Sequence, residues 1–196
     1  MRDFVMCAEC QAEYDDPESR RYHAQPNACP DCGPHVRLVD RGGGVMAERN
    51  EAIAAAVEAI RRGEIVAAKG IGGYHLLVDA ASNTAVSRLR ERKRRTHKPF
   101  AVMIPSLEAA RAVCELDGLE ARLLASAQAP IVLASRRSSS REHVAEVVAP
   151  GNPDLGIMLP YAPLYHVLMR DFGGPIVATS GNLAEEPICT AEADAL

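Results

Sequence analysis

Residues 65–78 read IVAAKGIGGYHLLV. Two short apolar runs, Ile65 to Ala68 and Tyr74 to Val78, flank the turn Gly70-Ile71-Gly72-Gly73, and each has the length of a buried strand. Lys69 closes the first run. Such a turn offers backbone N–H groups unobstructed by side chains, next to one ammonium, and that combination suits an anion. It is not a P-loop, because G-x-x-x-x-G-K-[ST] is absent.

Working outward, Asn50 is expected to cap a helix carrying Ile53, Val57 and Ile60 on one face, with Gly63 as its C-terminal glycine. Ser82 is expected to open a second helix, a very basic one. Further on, Phe100 to Ile104, Ile131 to Ala134, Ile157 to Leu159 and Ile176 to Thr179 read as strands, and 106–116, 118–127 and 163–171 as helices. This alternation predicts an α/β layered domain and leaves strand order and pairing open. Arg136 to Arg141, with three serines in a row, is expected to be a mobile surface loop. No internal repeat is visible.

The basic helix ends in RLRERKRRTHK (88–98), seven cations against one carboxylate in a chain of net charge −4. A charge run of this kind is commonly a solvated face. Here Pro99 stops the helix and leaves the last cations at an element end facing the next strand, where polyphosphate sites are found. Near the other terminus, Ala178-Thr179-Ser180-Gly181-Asn182 closes a strand with two hydroxyls and an amide. These groups suit phosphate or ribose, and equally an ordinary turn.

Four of the six cysteines form the pairs Cys7-x-x-Cys10 and Cys29-x-x-Cys32. Two tight turns can aim four thiolates at one ion, and the spacing is that of a four-thiolate zinc module. A redox dithiol would need only one pair. Gly33 permits close backbone approach and Pro30 stiffens the second turn, while His23, between the pairs, could replace one thiolate but reads rather as a surface histidine, since four thiolates already satisfy zinc. Cys114 and Cys189 read as core filler. The acidic cluster Glu13, Asp15, Asp16 and Glu18 disfavours a phosphate-binding face, so the module reads as a scaffold. Residues 1–40 have no sustained period and need a metal to fold. Arg41-Gly42-Gly43-Gly44 is expected to be a flexible connection, giving a zinc module at 1–42 and a nucleotide-binding domain at 45–196.

The chain has 196 residues, 47% hydrophobic, with a pI of about 5.9. It is long enough for one domain and a small appendage. No apolar run reaches the length of a membrane span, and MRDFVMCAEC lacks a signal-peptide core, so the expected location is cytoplasmic. The acidic balance and the lack of Trp argue against a dedicated nucleic-acid binder.

Together these residues resemble the hydrogenase-maturation carbamoyltransferase family, HypF. CAECQAEYDDPESRRYHAQPNACPDCGP is similar to the second zinc module of that family. AAKGIGGYHLLVDA, RKRRTHKPFAVM, GIMLPYAPLYHVL and ATSGN are similar to its YrdC-like domain. The resemblance implies an open twisted YrdC-like sheet with helices, preceded by a small zinc-finger-like module. It also implies a reaction order: carbamate released from carbamoyl phosphate, then joined to AMP from ATP with Mg²⁺, then passed to the C-terminal cysteine of the partner protein HypE.

Carried onto this chain, the resemblance places Lys93, Arg95 and Lys98 on the triphosphate. Lys69, Gly72, Gly73 and Tyr74 fall on the carbamate side, Ser180 and Asn182 on the nucleotide, and structural Zn²⁺ on Cys7, Cys10, Cys29 and Cys32. Lys69, Lys93 and Arg95 are the expected catalytic residues. The family's acylphosphatase-like segment, first zinc module and transfer domain lie outside these residues, so the chain reads as a fragment whose YrdC-like unit is incomplete at its C-terminus. The rival readings are a threonylcarbamoyl-adenylate synthase acting in tRNA modification, a zinc-containing RNA-binding module that catalyses nothing, and a fragment that only scaffolds.

Overall fold

A computed structural model describes residues 5–24, 28–182 and 186–195. Its centre is a seven-stranded mixed sheet in the order β3-β4-β9-β5-β8-β7-β6. The strands are β3 (Val66–Lys69), β4 (Tyr74–Asp79), β5 (Ala101–Met103), β6 (Cys114–Glu115), β7 (Val132–Arg136), β8 (Asp154–Met158) and β9 (Ile176–Ser180). Every pairing is antiparallel except β5 with β8. Ahead of the sheet lie helix α1 (Ala8–Asp15) and a hairpin of β1 (Arg37–Val39) and β2 (Val45–Glu48).

Side chains that alternate along a strand bury on both faces of the sheet. Val102 of β5 joins Val86, Leu89, Phe100, Ile157 and Val177 on one side, with α3 (Asn83–Lys93), α4 (Leu107–Val113) and α5 (Gly118–Leu124). Met103 joins Ile60, Leu77, Tyr165, Met169 and Ile176 on the other, with α2 (Arg49–Arg61) and α6 (Pro163–Phe172). Burying each of these large side chains contributes about 1.5–3 kcal/mol, so the two layers hold the sheet. The short α7 (Glu192–Ala195) ends the described chain.

Local chemistry sets the helix starts. The Ser82 hydroxyl accepts from Ala85 N, Ser106 accepts from Ala109 N, and Asp117 forms a capping box with Glu120. Gly63 adopts a left-handed φ of +79° just past α2, as a C-terminal glycine should.

Three expectations are corrected. Helix α2 begins at Arg49 with Glu48 as N-cap, so Asn50 lies inside the first turn. The Arg41–Gly44 run is a hairpin turn rather than a flexible connection. The Asp40 carboxylate accepts from Gly42 N and Gly44 N, and Asp40 N donates to Gly44 O, which satisfies the polar groups a linker would leave to water. Finally, the segment expected to be loop has regular structure: β7 runs on to Arg136, and Ser138–Glu142 form a 3-10 turn. Buried Ser140 accepts from Arg136 Nε at 2.8 Å, and the guanidinium also donates to Val144 O.

Candidate nucleotide site and cysteine cluster

Cys7 precedes α1 as its N-cap and Cys10 lies in its first turn. Across from them, the Cys29 knuckle is closed by Gly33 N donating to Cys29 O, and Asp31 N donates to Cys29 Sγ. All four sulfurs lie within 4.8 Å of one another, with Cys7 and Cys29 at 4.0 Å. A zinc–sulfur bond of about 2.3 Å sets the edge of a thiolate tetrahedron near 3.8 Å, so the set fits the ion with a slight contraction. Backbone donation from Cys32 first and then Asp31 lowers the Cys29 thiol to about 7, which favours the thiolate a metal needs. His23 is not among the ligating atoms; it stacks with Tyr14 and Tyr22 at ring distances of 5.0 and 4.1 Å. The two sequence pairs thus form one cluster, the arrangement of a metal site.

In the sheet domain, the C-terminal end of α3 meets the end of β9. Lys93 Nζ donates to Ser180 O at 2.6 Å, Asn182 O at 2.8 Å and Asn182 Oδ1 at 3.3 Å, so the ammonium clamps the 180–182 loop. Ser180 Oγ donates to Asn182 Oδ1 at 2.6 Å. Arg95 donates to Lys98 O, Pro99 O and, at 3.3 Å, Thr179 Oγ1. Lys98 is exposed near the end of the same turn. Burial holds the pKa of Lys93 and of Arg95 below their usual values, with Arg95 adding to the effect on Lys93 and Arg90 to that on Arg95. Among the described residues none of these cations is ion-paired with a carboxylate. The cluster therefore carries positive charge that an incoming anion would relieve.

The glycine turn stands at the sheet edge beside this loop. Gly70 N donates to Gly73 O, and Lys69 Nζ lies 5.7 Å from the Tyr74 ring. The 186–195 segment packs on the turn: Tyr74 N donates to Cys189 O, Cys189 N to Gly181 O, and Gly181 N to Tyr74 O. Gly181 thereby joins the two loops. Cys189 is a half-buried member of this joint, not core filler, whereas Cys114 is fully buried and burial pushes its thiol up to about 11. A side chain at Gly73 would place Cβ 2.7 Å from Cys189 O and 2.9 Å from Ile188, at a φ of +141°. Gly73→Ala is thus expected to cost about 1–3 kcal/mol of stability, read as a lower denaturant midpoint at unchanged slope. Gly72, by contrast, has open space where a Cβ would go.

Beneath the turn, His75 Nδ1 lies 2.7 Å from Tyr165 OH and 3.3 Å from Tyr161 OH, and the missing Cβ of Gly70 leaves room for all three groups. Burial depresses the His75 pKa. A base whose folded pKa lies below its unfolded value of about 6.5 makes the unfolded chain bind more protons in that window. Stability is therefore present above the window and lost on acidification through it. The melting temperature is expected to fall from pH 7 to 5, and His75→Gln is expected to flatten that fall.

Among known families, residues 58–196 match the Sua5/YciO/YrdC family, described as telomere recombination. The chain belongs to that family. Residues 6–39 match the HypF finger. The carbamoyltransferase HypF of Rhodobacter capsulatus is 49% identical over 187 residues, 95% of this chain and 24% of that protein. A crystal structure of full-length HypF in a phosphate- and nucleotide-bound form covers 100% of this chain and 25% of that one, with 43% identity and a TM-score of 0.82. The threonylcarbamoyl-AMP synthase of Bos taurus is 31% identical over 157 residues, 77% of this chain and 56% of that protein. A HypF finger followed by a YrdC-like domain is the combination the sequence resembled, and the α/β sheet with a cysteine cluster ahead of it is the expected fold. The chain spans about a quarter of the Rhodobacter HypF. No helix among the described residues is long and apolar enough to cross a membrane.

Within the YrdC-like domain, the structure brings Lys93, Arg95, Ser180 and Asn182 together at one strand end, and Lys69, Gly72, Gly73 and Tyr74 along the neighbouring turn. Sequence reasoning missed Arg90, Thr179 as the acceptor for Arg95, and the His75–Tyr161–Tyr165 group. Thr179 lies in the ATSGN stretch, His75 in AAKGIGGYHLLVDA, and Tyr161 and Tyr165 in GIMLPYAPLYHVL, so the resemblance covered them without giving them a role. Arg90 was one cation among seven.

Proposed function

We propose that the YrdC-like domain forms carbamoyl-adenylate from ATP and carbamate. The observation that carries this reading is the pair Lys93 and Arg95, partly buried cations at the 180–182 loop with no carboxylate paired to them among the described residues. The similar full-length HypF has been crystallised in a phosphate- and nucleotide-bound form, which supports a nucleotide as a substrate in this reading.

In the proposed step a carbamate oxygen attacks the α-phosphorus of ATP. The bond from that phosphorus to the bridging oxygen breaks, and its electron pair leaves with pyrophosphate. Carbamate enters as an anion, so no general base is required. Negative charge gathers on the phosphates in the transition state, and fixed cations already in position stabilise it. Lys93 and Arg95 supply that field, and exposed Lys98 meets the distal phosphates. Mg²⁺ accompanying ATP would shield the same charge. Ser180 and Asn182 hold the nucleotide, while Lys69, Gly72, Gly73 and Tyr74 line the carbamate side. Lys93 spends its protons on the 180–182 loop, so it also fixes the residues that bind the nucleotide.

The wider reading follows the family resemblance of the sequence. Carbamoyl phosphate is the source of carbamate, the HypE C-terminal cysteine is the eventual acceptor, the setting is cytoplasmic, and Zn²⁺ on the four cysteines is structural. The division into a zinc module at 1–42 and a nucleotide-binding domain at 45–196 belongs to the same proposal.

The test is pyrophosphate release from ATP with ammonium carbamate in one reaction and threonine plus bicarbonate in another. Release with carbamate alone is expected. Release only with threonine would assign the tRNA-modification chemistry instead. RNA binding that needs no ATP and weakens steeply with salt, with silence in both reactions, would favour the non-catalytic module.

A further inference from the structure

We propose that Arg90 is a positioning residue for the triphosphate site, holding the turn that carries Arg95 and Lys98; this rests on the phosphate-binding role given to those two residues. Helix α3 ends at Lys93, and its C-cap Arg94, at a φ of +49°, turns the chain back on itself. The reversal points carbonyls of the following turn at the Arg90 guanidinium. Nη1 donates to Arg95 O at 2.9 Å and to Thr96 O and Lys98 O at 3.3 Å. The other edge reaches a segment more than fifty residues away, with Nε donating to Val147 O at 2.5 Å and Nη2 to Val148 O at 2.9 Å.

One side chain therefore ties the 95–98 turn to a fixed point of the core. Phe100 N donates to the same Val148 O, and the Phe100 ring lies 4.8 Å from the Arg90 guanidinium and 4.7 Å from that of Arg95. Arg95 is thus seated on the ring that Arg90 also covers. The role needs the planar fork. A lysine ammonium keeps the charge, but its three protons radiate from one nitrogen and cannot span carbonyls on two edges. No substrate atom need touch Arg90, because its contacts are all with the protein's own backbone and ring.

The experiment compares the full chain with Arg90→Lys and Arg90→Gln. Hydrogen exchange is followed for residues 94–100 and, as a reference, for β4 and the cysteine cluster. ATP affinity is measured by calorimetry, and the KM for ATP and for carbamate by pyrophosphate release. Faster exchange confined to 94–100 is expected, with ATP binding about tenfold weaker and the carbamate KM unchanged, since the loss of charge-assisted hydrogen bonds is felt at the turn. Unchanged exchange at 94–100 would overturn the proposal. So would faster exchange with ATP affinity within twofold of the parent, or failure of both variants to fold, which would make Arg90 a residue of the whole core. Should the parent itself bind no ATP, the nucleotide reading falls, while the exchange readout still decides whether Arg90 holds the turn.

Discussion

Lys93→Met is expected to lower pyrophosphate release by about 10²–10³-fold while the chain stays folded, the magnitude typical of removing one group that stabilises charge in a transition state. Two effects act together. The field at the phosphates loses a unit charge, and the carbonyls of Ser180 and Asn182 lose the ammonium that fixes them. Stability should change far less. Burial and Arg95 both disfavour the charged Lys93, so methionine, of similar length, removes a repelled charge as well as a clamp. Lys93→Arg separates the two effects. It restores charge but is too broad to sit against Asn182 O, Asn182 Oδ1 and Ser180 O at once, and partial recovery is expected. Single-turnover pyrophosphate release read beside the melting temperature checks this. Activity of Lys93→Met within threefold of the parent would remove Lys93 from the chemistry.

What could be read in the sequence depended on whether the signal was local. The strands on either side of the glycine turn, the Ser82 cap and the Gly63 terminus follow from patterns a few residues long, and they stand in the fold within a residue or two. The pairing of β4 with β9 depends on contacts about a hundred residues apart. That pairing is what brings the Lys93 end of α3 to the SGN loop. Family resemblance named both ends of the site, but composition could not say that Lys93 spends its protons on backbone oxygens. Arg90 was illegible for a related reason. Its acceptors are carbonyls, which every residue carries, so no side-chain pattern marks them. The glycine run at 42–44 misled because glycine serves a tight hairpin as well as a linker, and the deciding partner was the neighbouring Asp40 carboxylate.

Removing zinc from the loaded chain is expected to unfold the finger while the sheet remains. Among the described residues from 5 to 40, only Cys10 and Gly33 are buried. A segment with so little apolar burial cannot offset the entropy of ordering its backbone, which costs about 1–2 kcal/mol per residue. Metal–thiolate bonding has to supply the difference, and structural zinc in small finger peptides supplies about 10–16 kcal/mol at neutral pH. Chelation, or Cys29→Ser, should therefore abolish exchange protection in α1 and the Cys29 knuckle. It should leave β4, β5 and β9 protected, because the two apolar layers of the sheet draw on none of the four cysteines. The boundary of the effect is informative. Arg49, at the start of α2, donates through its side chain to Pro30 O and through its backbone to Val36 O, and Arg37 lies 3.9 Å from Glu192. These contacts should carry partial loss of protection into the hairpin and the first turn of α2, and stop there. Hydrogen exchange on the metal-free chain tests both halves. Protection retained across residues 7–33 would show that the thiols fold the finger without metal, and loss across the whole sheet would show that the finger and the YrdC-like domain fold as one unit.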